Sequence, residues 1–287
     1  MLGAAGIADK AVMPAIAASS NGRLVAIASR DENKARELAS RHGIPHVSAG
    51  YEGVIEDPDV DAVYIPLVNS LHKEWTLRAA AAGKHVLCEK PLGMNAVEAE
   101  EMGAAAAKAG VHLMEAFMYR FHPRPLEFIQ SLREPVFVHA TFGFSFDQPA
   151  NYRMKKEFGG GALLDVGCYT VSVARWILGE PDGVAAWARV GNVDMTVSAL
   201  LHFPGGATAA VWASFESPEE QELVVITKNG KQRLERPFSS MEPDPYRLMV
   251  ESFGDSVMKD QPVAIPVSDS IANMQVLDRI AEAAHAY

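Results

Sequence analysis

Cysteine is scarce: Cys88 and Cys168 are the two in 287 residues. Both have apolar neighbours, which excludes a disulfide framework and suits a reducing, cytoplasmic compartment. Positive charge is also in deficit, with 26 Lys and Arg against 36 Asp and Glu and a formal charge of -10. No basic run offsets that balance, so a nucleic-acid partner is not expected, although a small anion can still bind locally. The sequence shows no apolar run near the ~20 residues a membrane span needs, and no basic-then-apolar leader. Nine histidines and two cysteines fall into no cluster with zinc spacing, so no metal is expected. What remains is an ordinary globular mixture, 48% hydrophobic and 22% charged, long enough for two domains with a core each.

One further absence is local. Met1-Leu-Gly-Ala-Ala-Gly-Ile-Ala8 places two glycines before an Ala-rich helical stretch that runs to about Ser19, yet only Met1 and Leu2 precede Gly3. Strands average about 5–6 residues. The strand that should feed this turn is almost wholly missing, and its neighbours are expected to carry unpaired backbone groups. Glycine lets the backbone turn tightly and approach a pyrophosphate facing a helix N-terminus. The spacing Gly3, Gly6, Ala8 is a near match to G-x-G-x-x-G, and a glycine turn before any helix has the same look. Leu24 to Ala28 is a continuous apolar run, the mark of a strand buried on both faces, and Asp31 is placed to cap the helix through Arg41. The run ends in Ser29-Arg30, where a fold preferring NAD carries an acid for the ribose 2′-hydroxyl; Ser29 and Arg30 suit the 2′-phosphate of NADP instead.

The strand-then-helix pattern repeats. Ala62-Val-Tyr-Ile-Pro66 reads as a buried strand with Asn69 and His72 beyond its end, and a helix follows to Ala82. His85-Val-Leu-Cys-Glu-Lys-Pro-Leu-Gly93 is the most informative stretch: three apolar residues end in a carboxylate, an ammonium and a ring-locked proline. In open α/β sheets ligands bind outside the carboxyl ends of the strands, which is where Glu89 and Lys90 fall. A helix from Asn95 to Ala109 and the strand Val111–Met114 complete a parallel, doubly wound sheet. Residues 1–119 are therefore expected to form a dinucleotide-binding domain and 120–287 a second, α+β domain. The latter reads as one helix and then strands over 136–146, 184–190, 196–203, 208–215 and 222–227, whose alternation predicts a mostly antiparallel open sheet. Within it, a triple glycine opens a helix over 162–178 closed by Gly179, with Asp165 and Tyr169 four apart on one face. The sheet's other face carries apolar positions that one helix cannot cover, which predicts a homo-oligomer, most simply a dimer.

With these residues laid out, the chain resembles the glucose–fructose oxidoreductase / inositol dehydrogenase (Gfo/Idh/MocA) superfamily, and within it the D-xylose dehydrogenase and dimeric dihydrodiol dehydrogenase branch. The marks are Cys88-Glu-Lys-Pro91, the run from Glu115 to Pro123, and the run from Gly159 to Tyr169. The resemblance implies an NADP-dependent oxidoreductase, with NAD possible, that moves a hydride at a carbinol carbon of a sugar or cyclic diol in a cleft between the domains. It makes Lys90 the catalytic lysine, Tyr169 the proton donor or acceptor and Asp165 an orienting acid. Gly3, Gly6 and Ile7 would hold the pyrophosphate, Ser29 and Arg30 the 2′-phosphate, and Leu67, Asn69, His72, Glu89 and Lys90 the nicotinamide side. Arg120 would lie near cofactor or substrate, and Tyr152 would line the substrate pocket. Val68 stands where relatives often carry proline. Tyr152-Arg-Met-Lys-Lys156 matches the Tyr-x-x-x-Lys of short-chain dehydrogenases but lies outside the dinucleotide fold. Some superfamily members are dinucleotide-sensing regulators without chemistry; retention of Lys90 and Tyr169 favours the enzyme.

Overall fold

A computed structural model describes residues 1–286. The strands are β1 (Ala26–Ile27), β2 (His46–Val47), β3 (Ala62–Ile65), β4 (His85–Cys88), β5 (Leu113–Glu115), β6 (Pro135–Gly143), β7 (Gly183–Val190), β8 (Asp194–His202), β9 (Thr208–Ser214), β10 (Glu220–Thr227), β11 (Gly230–Glu235) and β12 (Ala284–Ala286). The α-helices are α1 (Met13–Ala18), α2 (Glu32–His42), α3 (Tyr51–Ile55), α4 (His72–Ala81), α5 (Ala96–Ala109), α6 (Pro123–Ser131), α7 (Cys168–Leu178), α8 (Pro245–Lys259) and α9 (Val267–Ala283). Wider π-helical turns, Ala8–Val12 and Leu163–Gly167, lead into α1 and α7.

The chain divides into two compact units. The first comprises residues 1–93, 97–121 and 240–270, so the boundary expected at 119/120 lies close to one crossing point. The second domain is nevertheless not one continuous stretch, because 240–270 packs with the first unit. Side chains explain the return: Asn21 Nδ2 donates to Glu251 O at 2.8 Å and to Asp255 Oδ1 at 2.9 Å, fastening α8 to the segment after α1.

In the first unit β3, β4 and β5 form a parallel ladder, Ala62 opposite His85 and Val86 opposite Leu113. A second parallel pair, β1 with β2, lies apart from it in the ladder pattern. Two residues join them: Gly3 N–H donates to Ala28 O at 2.7 Å and Leu2 N–H to Tyr64 O at 3.0 Å. The short start thus pairs with both neighbours at their carboxyl ends, as the centre of a doubly wound sheet requires. Below it, Met1, Leu24, Val25, Ala62, Val63 and Val250 line a cavity of about 300 Å³, and the strand expected over 24–28 shrinks to Ala26–Ile27. The Met1 ammonium is buried, donates to Ala26 O at 2.7 Å, and is pushed down to about 5 by that burial. Asp31 caps α2 as expected, accepting from Asn33 and Lys34 N–H.

The second unit holds a seven-stranded sheet in the order β11-β10-β6-β9-β8-β7-β12. It is mixed: β6 with β9 and β7 with β12 are parallel, and the other neighbours are antiparallel. Ala162, Val166, Ala213 and Phe215 form a buried cluster against which Phe142, Phe144 and Phe146 pack. The opposite side exposes Trp187 (46%) and Leu200 (52%). The helical stretch Lys156–Leu178 passes a length-and-composition test for a membrane span. Of its most apolar 18-residue window 78% is buried within the fold, as in a core helix.

Candidate active site

In the first unit, the residues singled out follow the ends of β1 (Ser29, Arg30), β3 (Leu67, Asn69, His72) and β4 (Glu89, Lys90). Gly3 has φ +113°, and a Cβ there would come within 2.8 Å of Leu67 Cδ2, so only glycine permits this approach. An added Cβ at Gly6 would meet nothing within 4 Å, and Ile7 is 38% exposed, leaving open space at the start of the helix. These are the features a pyrophosphate cradle needs. Ser29 Oγ accepts the Asp31 N–H at 3.3 Å. Arg30 is exposed, beside the Tyr51 phenol, which burial raises and Arg30 lowers. Asp31, the next residue, is occupied as the α2 cap, accepting from Asn33 and Lys34 N–H.

At the end of β4, Glu89 is 9% exposed and accepts a short hydrogen bond from the Tyr64 hydroxyl. Tyr246, from α8, is half-buried near Glu89 and Lys90; burial and then the Glu89 charge raise its phenol above the ordinary range. Lys90 itself is half-buried. Asn69 is buried in the 3-10 turn Asn69–Leu71. His72 is fully buried, with Nδ1 2.9 Å from Pro91 O and Nε2 3.0 Å from Leu67 O. Arg120 Nη1 donates to Asp269 Oδ2 at 2.5 Å. Sequence reading missed Tyr64, Glu115, Tyr246 and Asp269. The first two alternate with apolar strand residues, a weak polar signal; the last two lie on helices absent from the expected element list.

In the second unit Asp165 and Tyr169 are both buried, 6% and 8% exposed. The helix expected over 162–178 begins as the π turn that contains Asp165, and Tyr169 sits in the first turn of α7. Its entry is built from distant residues. Asp194, where β8 begins, accepts the Leu163 N–H at 2.6 Å and is raised by burial to about 6. A Cβ on Gly161 (φ +120°) would strike Asp194 Oδ1 at 2.0 Å, and one on Gly160 would strike Arg153 O at 2.4 Å. The triple glycine is thus an allowance for close backbone approach. Arg153 Nε donates to Asp165 Oδ2 at 2.8 Å, and its guanidinium lies 4.9 Å from the Tyr152 ring centroid. Burial opposes the Arg153 charge, but Asp165, Tyr152 and Tyr169 together raise its basicity. The Tyr169 ring packs 5.4 Å from Phe142 and 5.3 Å from Phe238. Arg153, the partner of Asp165, lay inside the Tyr-x-x-x-Lys stretch and was not foreseen.

Three histidine and acid ligand atoms, from His46, Asp57 and Asp59, lie within 4.8 Å of one another, a group the spacing of the sequence does not reveal. His46 Nδ1 already pairs with Asp57 Oδ2 at 3.0 Å.

One unit holds a parallel sheet with charged strand ends, and the other a mixed sheet whose packed helix carries a buried acid and phenol, an arrangement that suits a dinucleotide-dependent oxidoreductase. Residues 1–117 match the model of the GFO/IDH/MocA oxidoreductase family with an NAD-binding Rossmann fold, and residues 130–233 match a GFO/IDH/MocA C-terminal domain. The chain belongs to this family and is an oxidoreductase. It is 40% identical to D-xylose 1-dehydrogenase (NADP(+)) 2 of Haloferax volcanii, over 99% of this chain and 96% of that one. It is 38% identical to the trans-1,2-dihydrobenzene-1,2-diol dehydrogenase of Mus musculus, over 78% of this chain and 70% of that one. A crystal structure of a 3-ketoreductase from Actinomadura kijaniata, in complex with NADP and TDP-benzene, superposes with a TM-score of 0.94 at 29% identity, over 99% of this chain and 97% of the other.

Proposed function

We propose that this chain is a cytoplasmic, NADP-dependent dehydrogenase that oxidises a carbinol carbon of a sugar or cyclic diol, of the aldose 1-dehydrogenase or dihydrodiol dehydrogenase type. The observation that carries the reading is the pairing of chemistries in the chain: a lysine directly beyond β4 of a dinucleotide fold, and a phenol next to an acid–guanidinium pair on a capped helix. NADP⁺, when bound, supplies the hydride acceptor. Gly3, Gly6 and Ile7 hold its pyrophosphate and Ser29 and Arg30 its 2′-phosphate, while Leu67, Asn69 and Glu89 form the nicotinamide side. Tyr169 takes the hydroxyl proton at its phenolic oxygen as the carbonyl forms. A phenol near pKa 10 needs a neighbouring cation to do so at neutral pH; Arg153, whose basicity Tyr169 raises, is that cation, and Lys90 is the catalytic lysine of the nucleotide-binding unit. Asp165 orients, and Arg120 and Tyr152 bound the substrate.

The test is a screen of D-xylose, other aldoses and trans-dihydrodiols with NADP and NAD, following reduced cofactor. Turnover on an aldose or diol with preference for NADP is expected; nucleotide binding with no turnover on any compound would return the chain to the sensing regulators. Arg30→Ala should raise the Michaelis constant for NADP about tenfold, the loss of one charge-assisted contact, with little change for NAD. Equal losses for both cofactors would remove Arg30 from the 2′-phosphate. The exposed Trp187 and Leu200 face is the proposed homodimer surface. Leu200→Lys should shift light scattering from dimer to monomer.

A further inference from the structure

The peptide group between Pro91 and Leu92 is held at both ends by buried ionisable side chains. Its carbonyl oxygen lies 2.9 Å from His72 Nδ1, and its N–H donates to Glu115 Oε1 at 2.9 Å. His72 is 0% exposed and Glu115 1%. Neither side chain is on the same element as the peptide: His72 opens α4 and Glu115 ends β5. Such an arrangement is costly, because a carboxyl and an imidazole taken out of water give up their hydration. Burial raises the Glu115 carboxyl to about 7 and lowers the His72 imidazole. A backbone turn needing only a donor and an acceptor could be satisfied by water or by a short loop.

The grip extends further. His72 Nε2 is 3.0 Å from Leu67 O, and Leu67 is the side chain that Gly3 abuts. Glu115 pairs in register with Cys88, and Ala116 N–H donates to Cys88 O at 2.8 Å. Two side chains therefore tie the ends of β3, β4 and β5 to the Pro91–Leu92 peptide, one residue beyond Lys90. Asp269 and Arg120, themselves paired, are the other charged groups beside Glu115.

We infer that Glu115 and His72 are positioning residues that clamp the Pro91–Leu92 peptide and so fix the root of the Lys90 side chain. The inference rests on the reading of Lys90 as catalytic and moves His72 from the cofactor list to the support of the lysine. A reactive group displaced by about 1 Å loses up to about 10²-fold in rate, so a clamp of this kind acts on turnover. It does not require contact with either substrate.

Two readouts test it. Glu115→Met removes the acceptor, whereas Glu115→Gln keeps an oxygen for the Leu92 N–H at nearly the same size. Hydrogen exchange at the Leu92 amide should quicken by about tenfold or more in Glu115→Met and stay near the parent rate in Glu115→Gln. Turnover per NADPH-binding site, on the best compound from the screen, should fall about tenfold to a hundredfold in Glu115→Met, with the NADPH dissociation constant within threefold. Glu115→Gln should recover most of it. Adding His72→Leu to Glu115→Met should cost less than the product of the two single losses, since both grip one peptide. A defect that only unfolds molecules lowers the number of binding sites and leaves turnover per site unchanged. Unchanged Leu92 exchange in Glu115→Met, or quickened exchange with full turnover per site, would overturn the clamp. Lys90→Met separates the two readings: if that variant keeps full turnover, or the parent turns over nothing, the role of Lys90 falls, while the exchange result still decides the clamp.

Discussion

The two units place polar side chains in apolar surroundings by opposite means. In the first, the functional candidates lie just beyond strand ends, and the groups that support them, Tyr64, His72 and Glu115, come from the adjoining strands and the helix between them. In the second, Asp165 and Tyr169 lie on a helix, and their support comes from far along the chain: Asp194 on the helix start and Arg153 on the acid. A parallel sheet brings consecutive strand ends side by side, so nearby residues can build its polar edge. A helix against a mixed sheet has no such edge, and each buried polar group needs a partner delivered by topology.

The sharpest way to break this contrast is to remove the reacting group proposed in each unit. Proton transfer by a positioned side chain contributes about 10²–10⁴-fold, so Tyr169→Phe should lower the turnover number by that order while NADPH affinity stays near the parent value. Lys90→Met should cost at least as much. The double variant should be little worse than the poorer single, because groups acting as one unit are not additive. If Tyr169→Phe keeps full turnover across pH, the proton leaves by another route. Arg153→Met is the next largest: it takes one partner from the buried Asp165 carboxylate, and breaking a buried pair in this way costs about 3–5 kcal/mol. A melting temperature unchanged in that variant would show that the Arg153–Asp165 pair is not what stabilises the helix entry.

What was legible follows the same division. The parallel ladder, the Glu89-Lys90 strand end, the Asp31 cap and the glycine turn all rest on neighbours within a few positions, and local pattern displays them. The Arg153–Asp165 and Asp194–Leu163 partnerships span 12 and 31 positions, and no periodicity encodes them. The triple glycine was visible as a mark, but its reason, an aspartate 33 residues beyond Gly161, was not. The helices α8 and α9 were missed because the second half was read as a β-rich run, so the return of 240–270 to the first unit went unseen as well.

Acidity distinguishes the units more finely. Asp194 is raised from 3.8 to about 6 and Glu115 from 4.5 to about 7, each mainly by burial. A carboxyl with a raised folded pKa holds its proton more tightly in the native state. Its contribution is therefore fully present below the unfolded value and is lost as pH rises through the folded one. Asp194→Asn should flatten stability against pH between about 4 and 6, and Glu115→Gln between about 4.5 and 7, each by a few kcal/mol in urea titrations compared with the parent. Identical pH curves for variant and parent would mean that the group stays ionised in the folded protein.

The smallest expected effect concerns the sheet centre. Met1 and Leu2 pair with both neighbours, but the cavity of about 300 Å³ beneath them is walled by Leu24, Val25, Ala62 and Val63, and the buried Met1 amino group faces Ala26 O. Converting that amino group to a peptide N–H, by adding three or four β-branched residues ahead of Met1, removes a buried titratable group and offers backbone partners along β1 and β3. It also puts apolar side chains where the cavity lies, at about 25 cal/mol per Å² of surface removed from water. Ordering the added residues costs about 1–2 kcal/mol each, which offsets much of the gain. A rise of several degrees in melting temperature is the expected balance. The rise should be larger at pH 6 than at pH 9, because the Met1 amine, lowered to about 5 when folded, weakens the parent protein as pH falls below its ordinary value near 8. An extension that raises the melting temperature equally at both pH values would locate the gain in cavity filling alone, and no rise at either would mean that the slot does not accept a strand.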